Sequence, residues 1–433
     1  MRQDRPPQAA TNKKLAIRFA IGLLIIALLI LGYQWIRGVG DDLTGRFGGA
    51  KDTKGWIAAI EMRGDKGHQA VAFKPDGAKI VSPDFREGAE DQGIAWRPDG
   101  KFLFFSSDRT VATLDIYRWE PEANRVDRVS YGSRGKTNLA FGPPGYTQGN
   151  ESALMTAGGF VLEFDSKDKS TRQLLPPAAG EPAVGGSEGG VGTQFDRLYE
   201  RLGKSFREAK WTRDRRHIVA TMVRESGEQV LVLQGMTPVK AADGSMRFPP
   251  PVAVAAGERI EFDVAADGKV VFTTQGFEFP DPQAIPPEFI VNGAAKAPYR
   301  HAISFFDPDD PSKGVRNLGI SPDDGTCFGQ PRISPDSSAV LFLAGMLLES
   351  GEFAPQGLVL APVEDRGVEK ARPVTRGDVR EPDWSPDASL IAFVKRGPKG
   401  NRAIFTVRPD GEGEKEVSAG VGDYGSPKFS PMK

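Results

Sequence analysis

A chain of 433 residues with 39% apolar and 26% charged residues has the composition of a folded protein, and could hold one large repeat domain or two to three ordinary ones. With 56 basic and 57 acidic residues the formal net charge is −1, which excludes a global field that would recruit nucleic acid or acidic substrates. A single cysteine, Cys327, excludes an intrachain disulfide, while 51 glycines and 34 prolines imply many turns.

Residues 1–14 form a short tail that carries Arg2, Arg5, Lys13 and Lys14. Residues 15–36 are then almost all apolar, with Phe19, Leu23 and Leu24 in their body. As a helix this stretch spans roughly 33 Å, enough for a hydrocarbon core of about 30 Å. Tyr33 and Trp35 fall where an interfacial aromatic belt would place them. The basic bias lies before the apolar run, which directs the N-terminus to the cytoplasm and the rest of the chain outward. The expectation is an uncleaved, single-pass signal anchor in a bacterial inner membrane, with its domain on the periplasmic or extracellular side. A cleaved signal peptide is the competing reading. Its apolar region should be shorter, and Gly38-Val39-Gly40 after Trp35-Ile36-Arg37 makes a poor cleavage site. No cysteine follows the run in a position for lipoprotein processing. Residues 37–55, rich in Gly and charge, read as a tether.

From residue 56 onward one pattern recurs. Its clearest copy is Glu381-Pro382-Asp383-Trp384-Ser385-Pro386-Asp387-Ala388, followed by the apolar run 390–395. An aromatic ends a strand, Pro presets the second position of a type I turn, Asp suits the third, and a small residue closes it. Other clear copies are Trp96-Arg97-Pro98-Asp99-Gly100 and Ile333-Ser334-Pro335-Asp336-Ser337. Looser ones are headed by Phe141, Trp211 and Val264, and a partial one by Phe429 ends the chain. The heads are 45, 70, 53, 69, 51 and 45 residues apart, a period near 45 with insertions in some units. Each unit has room for four short strands and no long amphipathic helix, which predicts a β-propeller rather than a βαβ fold.

These units resemble the TolB-like, or PD40 (WD40-like), β-propeller repeats, over roughly residues 56–433. The resemblance implies an all-β propeller domain, although TolB itself has six blades. Here six full units, plus one blade shared by the two ends of the chain, predict seven; six and eight are the alternatives. Three stretches interrupt the period: 176–207, helix-like at 194–203, then 235–251 and 276–298. Long loops of this kind are candidates for partner contact.

A search for chemistry yields little. Gly185-Gly186-Ser187-Glu188-Gly189 matches a nucleophile elbow by letter but has neither the preceding strand nor the following helix. His68, His217 and His301 lie in different repeats without metal-ligand spacing. Asp307-Pro308-Asp309-Asp310 and Asp323-Asp324-Gly325 read as turns, since neither is closed by the bidentate Glu of a calcium loop. Cys327 lacks a CxxC context and reads as packing. The Arg213-Asp214-Arg215-Arg216 run lacks an interleaved aromatic stripe for nucleic acid, and Trp96, Phe104, Trp211 and Trp384 are expected to pack between blades.

The sequence thus predicts no catalytic, cofactor-binding or metal residues. Its informative residues are the structural motif Trp96, Pro98, Asp99, Gly100, Trp211, Ile333, Pro335, Asp336, Trp384, Pro386 and Asp387. The expected role is a non-enzymatic interaction or assembly subunit of a cell-envelope complex, with protein partners and no cofactor. The alternatives are a ligand-binding or enzymatic propeller with its site at the channel mouth, and an accessory domain to a separate hydrolase.

Overall fold

Short runs of β-branched and aromatic residues, cut by Pro, Asp and Gly, make antiparallel strands that stack in sets of four. In this computed structural model the described residues are 55–431, except 132–134, 143–151, 177–202, 204, 213–214, 241–243, 245, 276–289, 292–293, 296–300, 322–325, 349 and 351. The expected anchor at 15–36, with Phe19, Leu23, Leu24, Tyr33 and Trp35, lies outside them. So do the elbow-like stretch 185–189 and the helix-like stretch 194–202. No helix among the described residues is long and apolar enough to cross a membrane.

Seven four-stranded sheets form the blades of a propeller, each ordered from the axis outward. Blade 1 comprises Asp91–Trp96, Leu103–Ser107, Asp115–Glu120 and Arg125–Arg128. Blade 2 comprises Lys136–Phe141, Ser152–Ala157, Phe160–Asp165 and Thr171–Leu175. Blade 3 comprises Ser205–Trp211, His217–Val223, Gln229–Gly235 and Val252–Gly257. Blade 4 comprises Arg259–Val264, Val270–Gln275, His301–Phe306 and Arg316–Ile320. Blade 5 comprises Thr326–Ile333, Ala339–Leu347, Phe353–Pro362 and Arg372–Arg376. Blade 6 comprises Val379–Trp384, Ile391–Arg396, Arg402–Val407 and Lys415–Glu416. Blade 7 joins the ends of the domain. Its innermost strand is Asp423–Phe429, followed outward by Ile57–Met62, His68–Phe73 and Lys79–Val81.

In blade 7, Ile57 faces Phe429 and Met62 faces Asp423 in an antiparallel register. Lys79 Nζ donates to Glu61 at 2.6 Å, and the Tyr424 hydroxyl donates to the same carboxylate at 3.1 Å. The innermost strands of consecutive blades touch in order, and that of blade 7 meets that of blade 1, so the ring is closed. Closure hides the sheet edges that an open array would leave at its two ends.

The core lies between blades rather than within one layer. One cluster joins Trp96, Leu103 and Trp119 of blade 1 to Ala58, Ile60 and Ala72 of blade 7. Another joins Phe104 and Ile116 of blade 1 to Leu139, Met155 and Phe164 of blade 2. Because both faces of a middle strand are covered, Ser152–Ala157 and Val270–Gln275 are buried at every position.

All seven head residues of the sequence repeat end an innermost strand, including the three looser copies. Trp96 Nε1 donates to the Lys428 carbonyl of blade 7 at 3.0 Å, and Trp384 Nε1 to the Arg332 carbonyl of blade 5 at 3.1 Å. These aromatics therefore pack and hydrogen-bond between blades.

The turn after each head follows from its residues. Ala388 N–H donates to the Ser385 carbonyl at 2.9 Å, and Asp387 Oδ1 accepts the Ser389 N–H at 3.0 Å and the Ser385 hydroxyl at 2.7 Å. Ser334-Pro335-Asp336-Ser337 repeats this network in blade 5. The closing residue sits in the left-handed region, with φ 58° at Ala388, 62° at Ser337 and 68° at Gly100.

Candidate channel-mouth site

In each blade the innermost strand starts at one mouth of the central channel and ends at the opposite face, where the Pro-Asp turns of blades 1, 5 and 6 lie. The second strand returns to the mouth, the third leaves it, and the fourth returns. The motif residues Trp96, Pro98, Asp99, Gly100, Trp211, Ile333, Pro335, Asp336, Trp384, Pro386 and Asp387 are thereby placed at the face away from the mouth. The site nearest to chemistry is made by other residues.

Three positions before each head lies a second row: Gly93, Asn138, Glu208, Glu261, Gln330, Glu381 and Ser426. In five blades the residue of this row adopts a left-handed backbone: Gly93, Asn138, Gln330, Glu381 and Ser426. At each of these the ladder to the second strand skips a register step. A bulge of this kind turns polar groups out of the sheet. Here they face the next blade. Glu261 Oε2 accepts the Gln330 N–H at 2.6 Å, Gln330 Oε1 accepts the Glu381 N–H at 2.5 Å, and Glu381 Oε2 accepts the Ser426 N–H at 2.5 Å. One long side chain per blade thus bridges blades 4, 5, 6 and 7. The sequence carried one trace of this row, the Pro after Gln330, Glu381 and Ser426, which bars the following residue from donating to the ladder.

One step deeper, at the position just before each head, charges alternate around the channel: Lys210, Asp263, Arg332, Asp383, Lys428. Lys210 Nζ lies 3.1 Å from Asp263, and Lys428 Nζ 3.2 Å from Asp383. Asp263 also accepts the Ile333 N–H at 3.1 Å, and Asp383 the Phe429 N–H at 2.9 Å. Burial pushes the Asp263 carboxyl up, but Lys210 and Arg332 more than reverse it, and the group ends below its ordinary range. Burial likewise lowers Lys210, and Glu208 and Asp263 carry it above its ordinary value. Three cations alternate with two carboxylates and Glu208, 3.2 Å from Lys210, supplies a third, so the belt ties blades together instead of presenting one sign of charge. In blades 1 and 2 its places are taken by Ala95 and Ala140.

A cavity of about 170 Å³ opens at the mouth among blades 6, 7 and 1. Ile60, Met62 and Val394 give it apolar wall, and His68, Asp91, Arg380, Glu381, Arg402 and Tyr424 bring polar groups to it. Asp91 is fully buried, with Oδ2 accepting from Arg109 at 2.5 Å and from the Ala70 N–H at 2.9 Å. Its Oδ1 makes no hydrogen bond of ordinary geometry. Burial raises the Asp91 carboxyl above its ordinary value against the pull of Arg109 and Ser107. His68 Nδ1 lies 2.6 Å from Glu90 at the same mouth.

The remaining sequence candidates are dispersed. His217 starts the second strand of blade 3 at the opposite face, 3.8 Å from Asp309, and burial lowers its pKa. His301 is buried in blade 4. Asp307 closes its own turn by accepting the Asp309 N–H at 3.0 Å, whereas 323–325 lie outside the described residues. The Cys327 thiol is buried and pushed up to about 11. Among the described residues no group of three or more His, Cys, Asp or Glu is placed to hold a metal ion.

No protein-family model and no curated protein sequence matches the chain. Similar solved structures include TolB from Acinetobacter baumannii, at 14% identity and TM-score 0.46, covering 88% of this chain and 68% of that one. An oligogalacturonate lyase in complex with manganese is similar at 11% identity and TM-score 0.48, covering 86% of each chain. A putative 6-phosphogluconolactonase from Bacteroides uniformis is similar at 13% identity and TM-score 0.48, covering 88% of this chain and 100% of that one. These likenesses are of fold. The chain itself is a seven-bladed β-propeller. The expectation that it is not an enzyme is corrected by the same comparison. Propellers named as a lyase and a lactonase stand among the similar structures, so the lack of a local catalytic motif does not separate this chain from enzymes. A propeller site draws single residues from several blades, which a search for contiguous motifs does not detect.

Proposed function

We propose that the protein is a docking subunit of a cell-envelope assembly, tethered to a bacterial inner membrane by residues 15–36 and presenting the channel mouth to its partner on the periplasmic or extracellular side. A TolB-like propeller fold suggests an interaction or envelope role, and the observation that points to the mouth is where the chain spends its longest connections. Residues 176–204 and 276–300 both leave from and return to strand ends at the mouth. Long connections on a rigid scaffold usually serve recognition. Three exposed apolar side chains stand on the same rim, Tyr131 at 68% exposure, Leu348 at 47% and Val421 at 79%, and three others, Val239, Val252 and Val315, at the opposite face. Affinity purification from solubilised native membranes tests the reading. Recovery of a constant second protein is expected, and repeated recovery of this chain alone would refute it.

A second reading, a small-ligand or catalytic site at the same mouth, is favoured by the cavity beside Asp91. Soaking or titrating the folded protein with small-molecule panels tests it, and saturable binding lost on filling the cavity is the expected result.

A further inference from the structure

The bridging row runs from blade 4 to blade 7 and then stops. Gln330, Glu381 and Ser426 each offer a bulge N–H to a long acceptor on the preceding blade. Gly93 of blade 1 holds the corresponding place, with the same left-handed backbone and the same skipped register. The residue that should reach it is Ser426, whose arm is a single hydroxymethyl group. Among the described residues no hydrogen bond joins Ser426 to Gly93. The mouth cavity lies at this break, with Gly93, Gly425 and Ser426 in its lining.

An occupant would meet donors. At Gln330, Glu381 and Ser426 the bulge N–H is met by a carboxylate or carboxamide oxygen. Arg380 and Arg402 reach the cavity, and the Arg402 guanidinium makes no hydrogen bond or ion pair among the described residues. Arg380 is held by Asp378 at 2.8 Å. The acidic groups of the lining are each engaged through one oxygen, and the remaining Asp91 oxygen, Oδ1, is buried. Asp91 is buried behind Arg109 and the Ala70 N–H, and Glu381 Oε2 takes the Ser426 N–H. His68 is paired with Glu90. With Arg380 held by Asp378, the Arg402 guanidinium is the one cation of the lining without a partner among the described residues, and Ile60, Met62 and Val394 form an apolar wall. A bidentate acceptor on a short apolar tail suits this lining.

We propose that the cavity among blades 6, 7 and 1 binds a small carboxylate with a short apolar tail, its oxygens replacing the bridging arm that blade 7 lacks. The proposal rests on the second reading above and adds the ligand's chemical class. Blade 7 would then be joined to blade 1 at the mouth by the ligand, as blade 6 is joined to blade 7 by Glu381.

Calorimetric titration of the full chain in detergent, at matched ionic strength, with acetate, propionate and butyrate tests it, with propylamine and propanol as contrasts. Saturable binding of propionate is expected. Arg402→Gln should weaken it about tenfold, the loss of one charge-assisted contact. Ser426→Glu, which builds into blade 7 the arm present in blade 6, should keep the unfolding midpoint at or above that of the wild type and abolish binding. Propionate binding undiminished in Ser426→Glu would overturn the placement. Saturable binding of propylamine or propanol alone, removed by Ser426→Glu, would overturn the carboxylate class and leave the mouth-ligand reading standing. Binding of none of the five probes would overturn both.

Discussion

Glu381 offers the sharpest test of the bridging row. Its Oε2 accepts the Ser426 N–H at 2.5 Å across the seam between blades 6 and 7, while its own backbone sits at φ 55°. A hydrogen bond to a charged acceptor contributes about 1.5–3 kcal/mol, and water access to this half-buried site favours the lower end. Glu381→Ala loses that bond and keeps the left-handed backbone, so a loss of about 1.5 kcal/mol is expected. Glu381→Gln keeps an acceptor oxygen on an arm of the same length, the residue that blade 5 uses at this place, and should lose less than about 0.5 kcal/mol. Glu381→Gly loses the bond but relieves the left-handed strain, worth about 1 kcal/mol, and should fall between the two. Urea unfolding followed by tryptophan fluorescence, compared at constant m-value, reads the order. Alanine and glutamine variants of equal stability would show that the bridge does not support the ring.

The turns after the strand heads make further predictions. Ala388→Gly and Ser337→Gly should each stabilise by about 1 kcal/mol in urea, because both positions lie at φ near 60°. Gly100→Ala should destabilise by more than that, since an added Cβ would stand 2.7 Å from the Pro431 carbonyl oxygen; a neutral result would contradict the turn geometry. At Asp387, burial raises the carboxyl but Ser389 and Ser385 more than reverse it, so the folded pKa lies below the unfolded one. Its contribution is therefore complete above the unfolded value of about 3.9 and is lost as pH falls through the lower folded value. Stability measured down that acid limb should fall less steeply in Asp387→Asn than in the wild type, and parallel slopes would refute the assignment. Deleting residues 421–433 removes the innermost strand of blade 7 and bares the edge of Ile57–Met62, so an aggregating product is expected, and a monodisperse soluble one would contradict closure.

The ring was legible because its turns are written in local chemistry. Pro386 and Asp387 fix a turn whatever surrounds them, and Trp384 ends the strand before it. Counting such heads therefore located every innermost strand, and the unmatched partners at 57–62 and 423–429 paired the two ends. The bridging row was not legible, because Glu381 acquires its meaning from Ser426, 45 residues away in another blade, and from a left-handed backbone that no Gly announces. His68, Asp91, Arg380 and Arg402 likewise come together only when blades 6, 7 and 1 close. That is also why a search for contiguous motifs, which could register Gly185–Gly189 by letter, did not register a cavity lining spread across three blades.

The claim that the channel mouth is the working face is tested most directly by photo-crosslinking in native membranes. A benzophenone side chain at Val421, on the mouth rim, is compared with one at Val315, exposed on the opposite face. Discrete higher-mass adducts from position 421 and none from position 315 are expected. Adducts from position 315 alone, or from neither position, would contradict the claim.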